Sequence, residues 1–341
     1  MQRLALVMSH ASRSMRGGMR DILFCAALRA RGVDARIWRM HGGETAREQI
    51  IGVPVTYCPS DDPARTPHHQ VSALLRADIA RFEPEVVLYK GLGYRVCADT
   101  QAALTAAVRY GFIVGGSVTD PLLEGASLVL GEYPEQIARH FPEHAAAGRA
   151  LALPKYVDLA LAGDGTPPET PEFDIVNVGS FAEKRKNQAA LLPFAPWRRI
   201  AFVGGGPLLA KARDAAREAR SLRNIRFFGQ LDHAGVFEVL RRARIMVHTS
   251  LGDGLPRATV EAMACGLPVI AFRETVAGGI PPEAGLLVSA EALPHAIRLL
   301  LTDDALRREM GAAARRHVER HHGEAAIAEA AEQALALLRT R

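Results

Sequence analysis

The chain has 341 residues, of which 48 % are hydrophobic and 23 % charged, a length and balance that exclude a fibrous or disordered protein and allow two globular domains. No segment approaches the ~20 apolar residues that cross a bilayer, and the first apolar run is too short for a signal peptide. The four cysteines are scattered without a C-x-x-C pair, which argues against a disulfide scaffold and a zinc site. We therefore expect a cytoplasmic protein.

Positive charge is concentrated at the start of the chain. Residues 1–40 contain eight arginines and two aspartates, whereas the formal charge of the whole chain is +5. Such a basic edge can bind an anionic substrate or make peripheral contact with the inner face of a membrane. Arginines on solvated helix faces explain the same pattern equally well. Aromatic residues make up only 6 %, and no stacking or reading motif indicates a nucleic-acid partner.

Strand-like and helix-like segments alternate through the first half of the chain. An apolar strand over residues 3–10 is followed by a Ser-, Arg- and Gly-rich loop and by a helix over 19–31. Further strands are predicted at 35–40, 53–58, 84–91, 111–118 and 127–132, and further helices at 69–82, 96–108 and 134–140. This alternation favours a parallel, doubly wound sheet with helices on both faces.

A Pro-, Gly- and Thr-rich stretch over residues 150–172 predicts an inter-domain linker. A second series follows, with strands at 174–181, 198–207, 224–231, 244–250, 267–272 and 285–289 and helices at 188–194, 208–220, 234–243, 257–265 and 290–302. Residues 303–340 are helical in pattern, and Gly311 and Gly323 are expected to interrupt them. We expect one domain over 1–160, another over 161–321, and a last helix over about 322–341 that packs back on the first domain.

Residues 250–270 carry the most informative pattern, since ligands of open parallel sheets bind at the carboxyl ends of the strands. Gly254 and Leu255 precede Pro256, which suits the first position of a helix. Their N–H groups and the positive helix end suit a diphosphate, and Glu261 further along can accept two hydrogen bonds from a ribose diol. An ordinary helix, capped near Asp253 and with Glu261 in solvent, explains these residues equally well.

The run D-G-L-P-R-x-x-x-E-A-M-A-C-G-L-P-V-I over residues 253–270 resembles the E-x7-E motif of glycosyltransferase family 4, the group 1 glycosyltransferases. The resemblance implies the GT-B fold, in which two Rossmann-like doubly wound parallel-sheet domains face a central cleft. It also implies that Glu261 holds the donor ribose and that Asp253, in place of the family's usual glutamate, faces the donor sugar.

The segment V-G-S-F-A-E-K-R-K-N-Q, residues 178–188, resembles the family loop in which an arginine and a lysine bind the donor pyrophosphate. Lys186 matches the lysine, whereas Ser180 stands where the family has the arginine, and Arg185 is a candidate for the missing charge. Such a charged loop is also common as a plain solvated surface. Two cations beside a helix start nevertheless suit a diphosphate, because charge-assisted hydrogen bonds are strong.

Two further turns of the second half resemble family segments, and in all the resemblance covers about residues 174–320. V-G-G-G-P at 203–207, which contains Gly205, resembles the V-G-x-G-P turn. F-F-G-Q-L at 227–231, with Gly229 and Gln230, resembles the loop that reads the nucleobase through backbone groups.

The first half matches the family more loosely. Residues 10–23 resemble its glycine-rich loop, where two glycines approach donor phosphate or acceptor. Many members carry a histidine in the loop that corresponds to 115–121, where this chain offers Asp120 or Thr119 instead. The candidate residues for the acceptor and phosphate loop are Gly17, Gly18, Arg20, His10 and Lys90.

The resemblance implies a retaining hexosyltransferase that uses a nucleoside-diphosphate sugar as donor and a small-molecule, saccharide or lipid-linked acceptor. The candidate catalytic residues are Asp253, Lys186 and Asp120. No D-x-D motif occurs, so we expect no metal and no other cofactor. Two alternatives stay open: another reaction of the same fold, such as 2-epimerisation or phosphorolysis, and a non-catalytic sugar-nucleotide-binding protein, which Ser180 and Asp253 would favour.

Overall fold

The structure, a computed structural model, describes residues 2–10, 19–115, 119–252, 254–274 and 279–339. The chain divides into two compact units, one formed by Met1–Tyr156 with Glu324–Arg341 and the other by Val157–Gly323. The first segment of the first unit thus ends at Tyr156, whereas the predicted domain boundary was residue 160. Within the described ranges, no helix has both the length and the apolar character to span a bilayer.

Fourteen strands form two sheets in the described part of the chain. In chain order they are β1 Arg3–Met8, β2 Asp34–His41, β3 Ala46–Ile50, β4 Val53–Pro59, β5 Val86–Lys90, β6 Arg109–Ile113, β7 Leu128–Gly131, β8 Ala150–Ala152, β9 Phe173–Val178, β10 Ile200–Val203, β11 Ile225–Gly229, β12 Ala243–His248, β13 Val269–Phe272 and β14 Gly285–Val288.

Twelve α-helices connect or follow these strands in the same ranges. They are α1 Arg20–Ala30, α2 Ala73–Phe82, α3 Arg95–Ala102, α4 Pro134–His140, α5 Pro142–Ala146, α6 Leu159–Ala162, α7 Leu209–Glu218, α8 His233–Leu240, α9 Arg257–Ala264, α10 Leu293–Thr302, α11 Asp304–His321 and α12 Glu324–Arg339.

The first unit contains an eight-stranded sheet in the order β3-β4-β2-β1-β5-β6-β7-β8. All neighbours are parallel except β3, which runs antiparallel to β4. Helices cover both faces: Leu4 and Leu6 of β1 join a core with α1 and α12, whereas Ala5 and Val7 join the core with α2 and α3. Burial on both faces explains why β1 is almost continuously apolar.

The second unit contains a six-stranded parallel sheet in the order β11-β10-β9-β12-β13-β14. Numbered within the unit, this is the strand order 3-2-1-4-5-6 of the Rossmann fold, which reverses direction between β9 and β12. The two doubly wound parallel sheets that the alternation predicted are thereby confirmed.

Several local predictions were wrong. The stretch 188–194 is a 3-10 helix with Pro193 inside it rather than an α-helix, and the expected linker begins with β8. Gly311 does not interrupt the last helical stretch, because it lies inside α11. A Cβ at Gly311 would come within 2.2 Å of the Gly266 carbonyl oxygen, so this glycine lets α11 pack closely against the turn after α9.

Candidate functional site

In doubly wound sheets the ligand crevice lies where the strand order reverses, which in the second unit is at the carboxyl ends of β9 and β12. The loop after β9 covers residues 179–187, and the loop after β12 covers 249–256. Because β9 and β12 are hydrogen-bonded neighbours, these two loops emerge side by side. They contain most of the predicted donor-binding residues.

Hydrogen bonds join these two loops directly. The Thr249 hydroxyl donates to the Lys186 carbonyl over 2.9 Å, and the Leu251 backbone N–H donates to the Arg185 carbonyl over 2.8 Å. Below them, Nδ2 of the buried Asn177 donates to the Val247 carbonyl over 2.7 Å. The backbone of Lys186 is therefore held beside the turn that leads into α9.

Arg185 also bridges the loops through its side chain. Its guanidinium donates to both carboxylate oxygens of Glu183, over 2.6 and 3.1 Å, and to the Gly252 carbonyl over 3.2 Å. Glu183 thus balances part of the Arg185 charge, which sequence reasoning did not anticipate. Lys186 ends the short 3-10 helix Lys184–Lys186 and is half-buried.

Helix α9 presents an open amino end in this crevice. It begins at Arg257, and Pro256 is its N-cap rather than the first helical residue that the sequence suggested. The cap has no side-chain hydrogen bond, and neither Gly254 nor Leu255 donates its backbone N–H to an acceptor within the described residues. Two amides and the positive end of α9 therefore form a site suited to an anion.

Glu261 lies in the second turn of α9 and is buried, with 4 % of its surface exposed. Its Oε1 lies 2.8 Å from Nε2 of His233, the first residue of α8. The His233 ring also packs edge-on against Phe237, with the ring centroids 5.1 Å apart. The sequence pattern allowed Glu261 to be a solvated helix residue, but the structure shows an oriented, buried carboxylate.

The glycine turn at 203–207 packs onto the loop after β9. A Cβ at Gly204 would lie 2.0 Å from the Gly179 carbonyl oxygen, and one at Gly206 would lie 2.4 Å from the Phe181 carbonyl carbon. Both glycines also have positive φ, of 142° and 145°. Side chains at either position would therefore push the loop away from its place beside β9.

The remaining predicted donor residues meet at this turn. The Ser180 hydroxyl donates to the Gly205 carbonyl over 3.4 Å, and a Cβ at Gly205 would lie 3.2 Å from Cβ of Gln230. The Gly229 carbonyl accepts the Gly204 N–H over 2.8 Å. Ser180, Gly205, Gly229 and Gln230 thus form one contiguous surface, and their contact with a donor stays a prediction.

In the first unit, Asp120 has a clear structural contact. Its carboxylate accepts the backbone N–H of Gly93 over 2.7 Å and that of Leu122 over 2.9 Å, and it caps the short 3-10 helix that follows. His10 is exposed and lies edge-on to Tyr94, with the ring centroids 6.1 Å apart. Catalysis by Asp120 stays a prediction. The predicted residues Asp253, Gly17 and Gly18 lie outside the described residues.

Lys90 and Arg20 come together around a residue that sequence reasoning missed. Lys90 forms an ion pair with the buried Asp21, and Nε of Arg20 lies 3.9 Å from the same carboxylate. Burial alone would raise the pKa of Asp21, but Lys90 first and then Arg20 hold this pKa below its usual value. Arg20 also donates to the Leu153 carbonyl over 3.1 Å.

The two Rossmann-like sheets define a protein of the GT-B fold class, and the start of α9 is a candidate anion site at the switch point of its second sheet. Residues 172–303, the segment from β9 through α10, match the family described as Glycosyl transferases group 1. The phosphatidyl-myo-inositol mannosyltransferase of Mycobacterium leprae is 31 % identical over 206 residues, 54 % of this chain and 53 % of the relative.

A GDP-mannose-dependent monoacylated alpha-(1-6)-phosphatidylinositol monomannoside mannosyltransferase of Corynebacterium glutamicum is 30 % identical over 198 residues, 49 % of this chain and 51 % of the relative. The chain therefore spans about half the length of the curated relatives it matches. Among solved structures, sucrose-phosphate synthase of Thermosynechococcus elongatus superposes with a TM-score of 0.75 and 20 % identity over all of both chains. Anabaena HepE in complex with UDP superposes with a TM-score of 0.73 and 15 % identity over 98 % of this chain and 100 % of the other. These likenesses establish the fold.

Proposed function

We propose that this protein is a retaining hexosyltransferase that moves a sugar from a nucleoside-diphosphate sugar to an acceptor hydroxyl. The observation that carries the proposal is the position of the buried, oriented Glu261 carboxylate, which lies one to two turns beyond the open amides of Gly254 and Leu255. An acid at this distance from an anion site suits the ribose and diphosphate of one nucleotide.

In the proposed donor complex, the Glu261 carboxylate accepts hydrogen bonds from the two ribose hydroxyls. The amides of Gly254 and Leu255 and the Lys186 ammonium bind the diphosphate and stabilise its charge as the glycosidic bond breaks. The surface formed by Ser180, Gly205, Gly229 and Gln230 lies on the neighbouring strands, where the nucleobase would rest on backbone groups. The matched segment 172–303 contains all of these residues.

Retention of the anomeric configuration is part of the proposal through the E-x7-E resemblance. Attack by the acceptor hydroxyl on the face that the diphosphate leaves needs no covalent enzyme intermediate, since the diphosphate itself can take the acceptor proton. We assign Asp253 to the donor sugar on the same ground. We further propose that cationic groups and helix α9, rather than a divalent metal, balance the diphosphate charge.

The acceptor is proposed to bind the first unit. The relatives named as phosphatidylinositol mannosyltransferases support a hexose donor and a lipid-linked or saccharide acceptor. The basic N-terminal edge would then provide peripheral contact with an anionic membrane.

The test is product analysis with radiolabelled UDP-, GDP-, ADP- and TDP-hexoses, with wild-type protein and the variants Glu261→Gln and Glu238→Gln. Glu238 is an exposed glutamate in the neighbouring α8, so Glu238→Gln controls for loss of a helical carboxylate. We expect transfer or slow donor hydrolysis by wild type and Glu238→Gln, and a loss of about 100-fold or more in kcat/KM for Glu261→Gln.

The same assay separates the alternatives. A donor converted to its epimer without transfer would identify an epimerase, and nucleotide binding without any turnover across an acceptor panel would identify a binding protein. Full activity of Glu261→Gln would remove the basis of the donor assignment.

A further inference from the structure

Two neighbouring loops at the amino edge of the second sheet present apolar and basic side chains to solvent. Residues 195–198 precede β10, and residues 219–224 precede β11, the edge strand of the described sheet. Ile200 pairs with Ile225 at the start of these parallel strands, and Nδ2 of Asn224 donates to the Ala195 carbonyl over 2.8 Å. The two loops therefore lie side by side. The amino-edge surface consists of Pro196, Trp197, Arg198, Arg220, Leu222 and Arg223.

Trp197 is the unusual member of this surface. It is 74 % exposed, whereas Trp38, the other tryptophan of the chain, is 4 % exposed. Its indole makes no ring contact, cation–π contact or hydrogen bond with any residue that the structure describes. The turn that presents it is anchored, because the Trp197 backbone N–H donates to the Phe194 carbonyl over 3.1 Å and Ala195 is fully buried. A fixed turn thus holds a large apolar ring in water.

Unpaired positive charge lies beside this ring. Neither loop contains an acidic residue, and Arg198, Arg220 and Arg223 form no ion pair within the described ranges. The Arg198 guanidinium donates to the Trp197 carbonyl over 3.3 Å. With Glu218 at the end of α7 included, the surface has a net charge of +2 by residue type. It therefore attracts a negatively charged partner.

We propose that the amino-edge surface docks onto an anionic membrane, with the Trp197 indole in the headgroup region and the three arginines against lipid phosphates. Tryptophan suits this region, because its ring is apolar and its N–H is polar. Arginines near an anionic leaflet each add to the attraction. The apolar part comprises only Pro196, Trp197 and Leu222, which is small for a stable protein interface of about 20–30 residues a side.

This inference goes beyond the proposed function and does not rest on it. The donor crevice lies at the carboxyl ends of β9 and β12, whereas the amino-edge surface precedes β10 and β11, at the opposite edge of the same sheet. A membrane bound at the amino edge leaves the loops of the crevice uncovered. The basic N-terminal edge is a separate surface, since it belongs to the first unit.

Vesicle sedimentation and tryptophan fluorescence of the full chain test the proposal. The vesicles consist of phosphatidylcholine alone or of phosphatidylcholine mixed with phosphatidylglycerol. The variants are Trp197→Ala, Trp197→Phe and Arg223→Gln. Ile51→Ala is the control for loss of an exposed apolar side chain, since Ile51 is 55 % exposed in the first unit. Arg65→Gln is the control for loss of a surface cation, since Arg65 pairs with Asp62 in that unit.

We expect wild-type protein to bind the mixed vesicles and not phosphatidylcholine alone, and added salt should weaken this binding. Trp197→Ala should bind at least about tenfold more weakly, because less apolar area leaves water. Trp197→Phe should retain most of the binding, and Arg223→Gln should lose about fivefold. Both control variants should bind as wild type does. On binding, the Trp197 emission should shift to shorter wavelength and become protected from iodide, whereas buried Trp38 reports no change.

Membrane binding that Trp197→Ala retains would assign the contact to another surface, such as the basic N-terminal edge, and would overturn the proposal. Absence of vesicle binding, or an indole that stays open to iodide on the vesicle, would also overturn it. A dimer in sedimentation velocity that Trp197→Ala dissociates would identify a second copy of the chain as the partner instead. Unchanged thermal unfolding of Trp197→Ala shows that lost binding is not lost folding. Absence of sugar transfer with intact, Trp197-dependent docking would refute the proposed function and leave this surface standing.

Discussion

His233 provides the sharpest test of the donor site, because it is the only described side chain that hydrogen-bonds the Glu261 carboxylate, over 2.8 Å. His233→Ala leaves a buried carboxylate oxygen without its donor, which costs about 1–3 kcal/mol of unfolding free energy. The carboxylate is then free to rotate, so donor binding loses its preset geometry. A loss of about 1.4 kcal/mol in binding free energy lowers affinity tenfold, and we expect nucleotide affinity to fall by roughly this factor or more.

The assay is nucleotide titration and donor kinetics on wild type, His233→Ala and His233→Gln, with His295→Ala as control for an exposed histidine. His295 is exposed, and among the described residues its ring hydrogen-bonds to Arg298 alone. A positioning role predicts a raised donor KM with a smaller change in kcat, and partial rescue by the amide of His233→Gln. Unchanged or tighter nucleotide binding by His233→Ala would show instead that the ribose displaces His233, and would refute the positioning role.

Three further predictions concern the glycines that pack against the donor loop, the buried Asp21 and the buried cysteines. Gly204→Ala should lower the melting temperature and weaken nucleotide binding, because its Cβ would collide with the Gly179 carbonyl oxygen at 2.0 Å. Gly229→Ala also strains a backbone with a positive φ of 72°, but its Cβ meets nothing within 4 Å, so it should perturb the loop less. The folded-state pKa of Asp21 is lowered, so its stabilisation is present above its unfolded pKa of about 3.9 and is lost as pH falls through the folded value. Asp21→Asn should therefore reduce the loss of unfolding free energy as the pH falls into the acidic range. The same pH dependence as in wild type would contradict this. Burial raises the pKa of Cys97 and Cys265 to about 12, so thiol reagents at pH 8 should modify the native protein slowly and the unfolded protein completely; rapid native labelling would contradict the burial.

Much of the fold follows from the alternation of apolar strands and helices. The two strands that sequence reasoning missed lack that signal. β3 is exposed along almost its whole length, so it has no apolar pattern, and β8 is three residues long inside a Pro- and Gly-rich stretch. Gly311 was misread as a break because its tight approach to Gly266 depends on tertiary packing that sequence spacing does not report.

The candidate site was predictable to the level of the loops. Because ligands bind at the carboxyl ends of parallel strands, the sequence predicted that Lys186 and the 254–261 segment lie close together. The partner of Glu261 was not predictable, because His233 lies 28 residues away and no spacing rule links the start of α8 to the second turn of α9. Asp21 was missed for a similar reason, since its contact with Lys90 joins residues 69 apart.

The central claim is that one nucleotide spans the amides at the start of α9 and the Glu261 carboxylate. A crystal structure of the chain with a nucleoside diphosphate tests it directly. We predict a pyrophosphate beside Gly254, Leu255 and Lys186 and ribose hydroxyls within hydrogen-bond distance of Glu261. A well-ordered nucleotide bound elsewhere, with this crevice occupied only by solvent, would contradict the account.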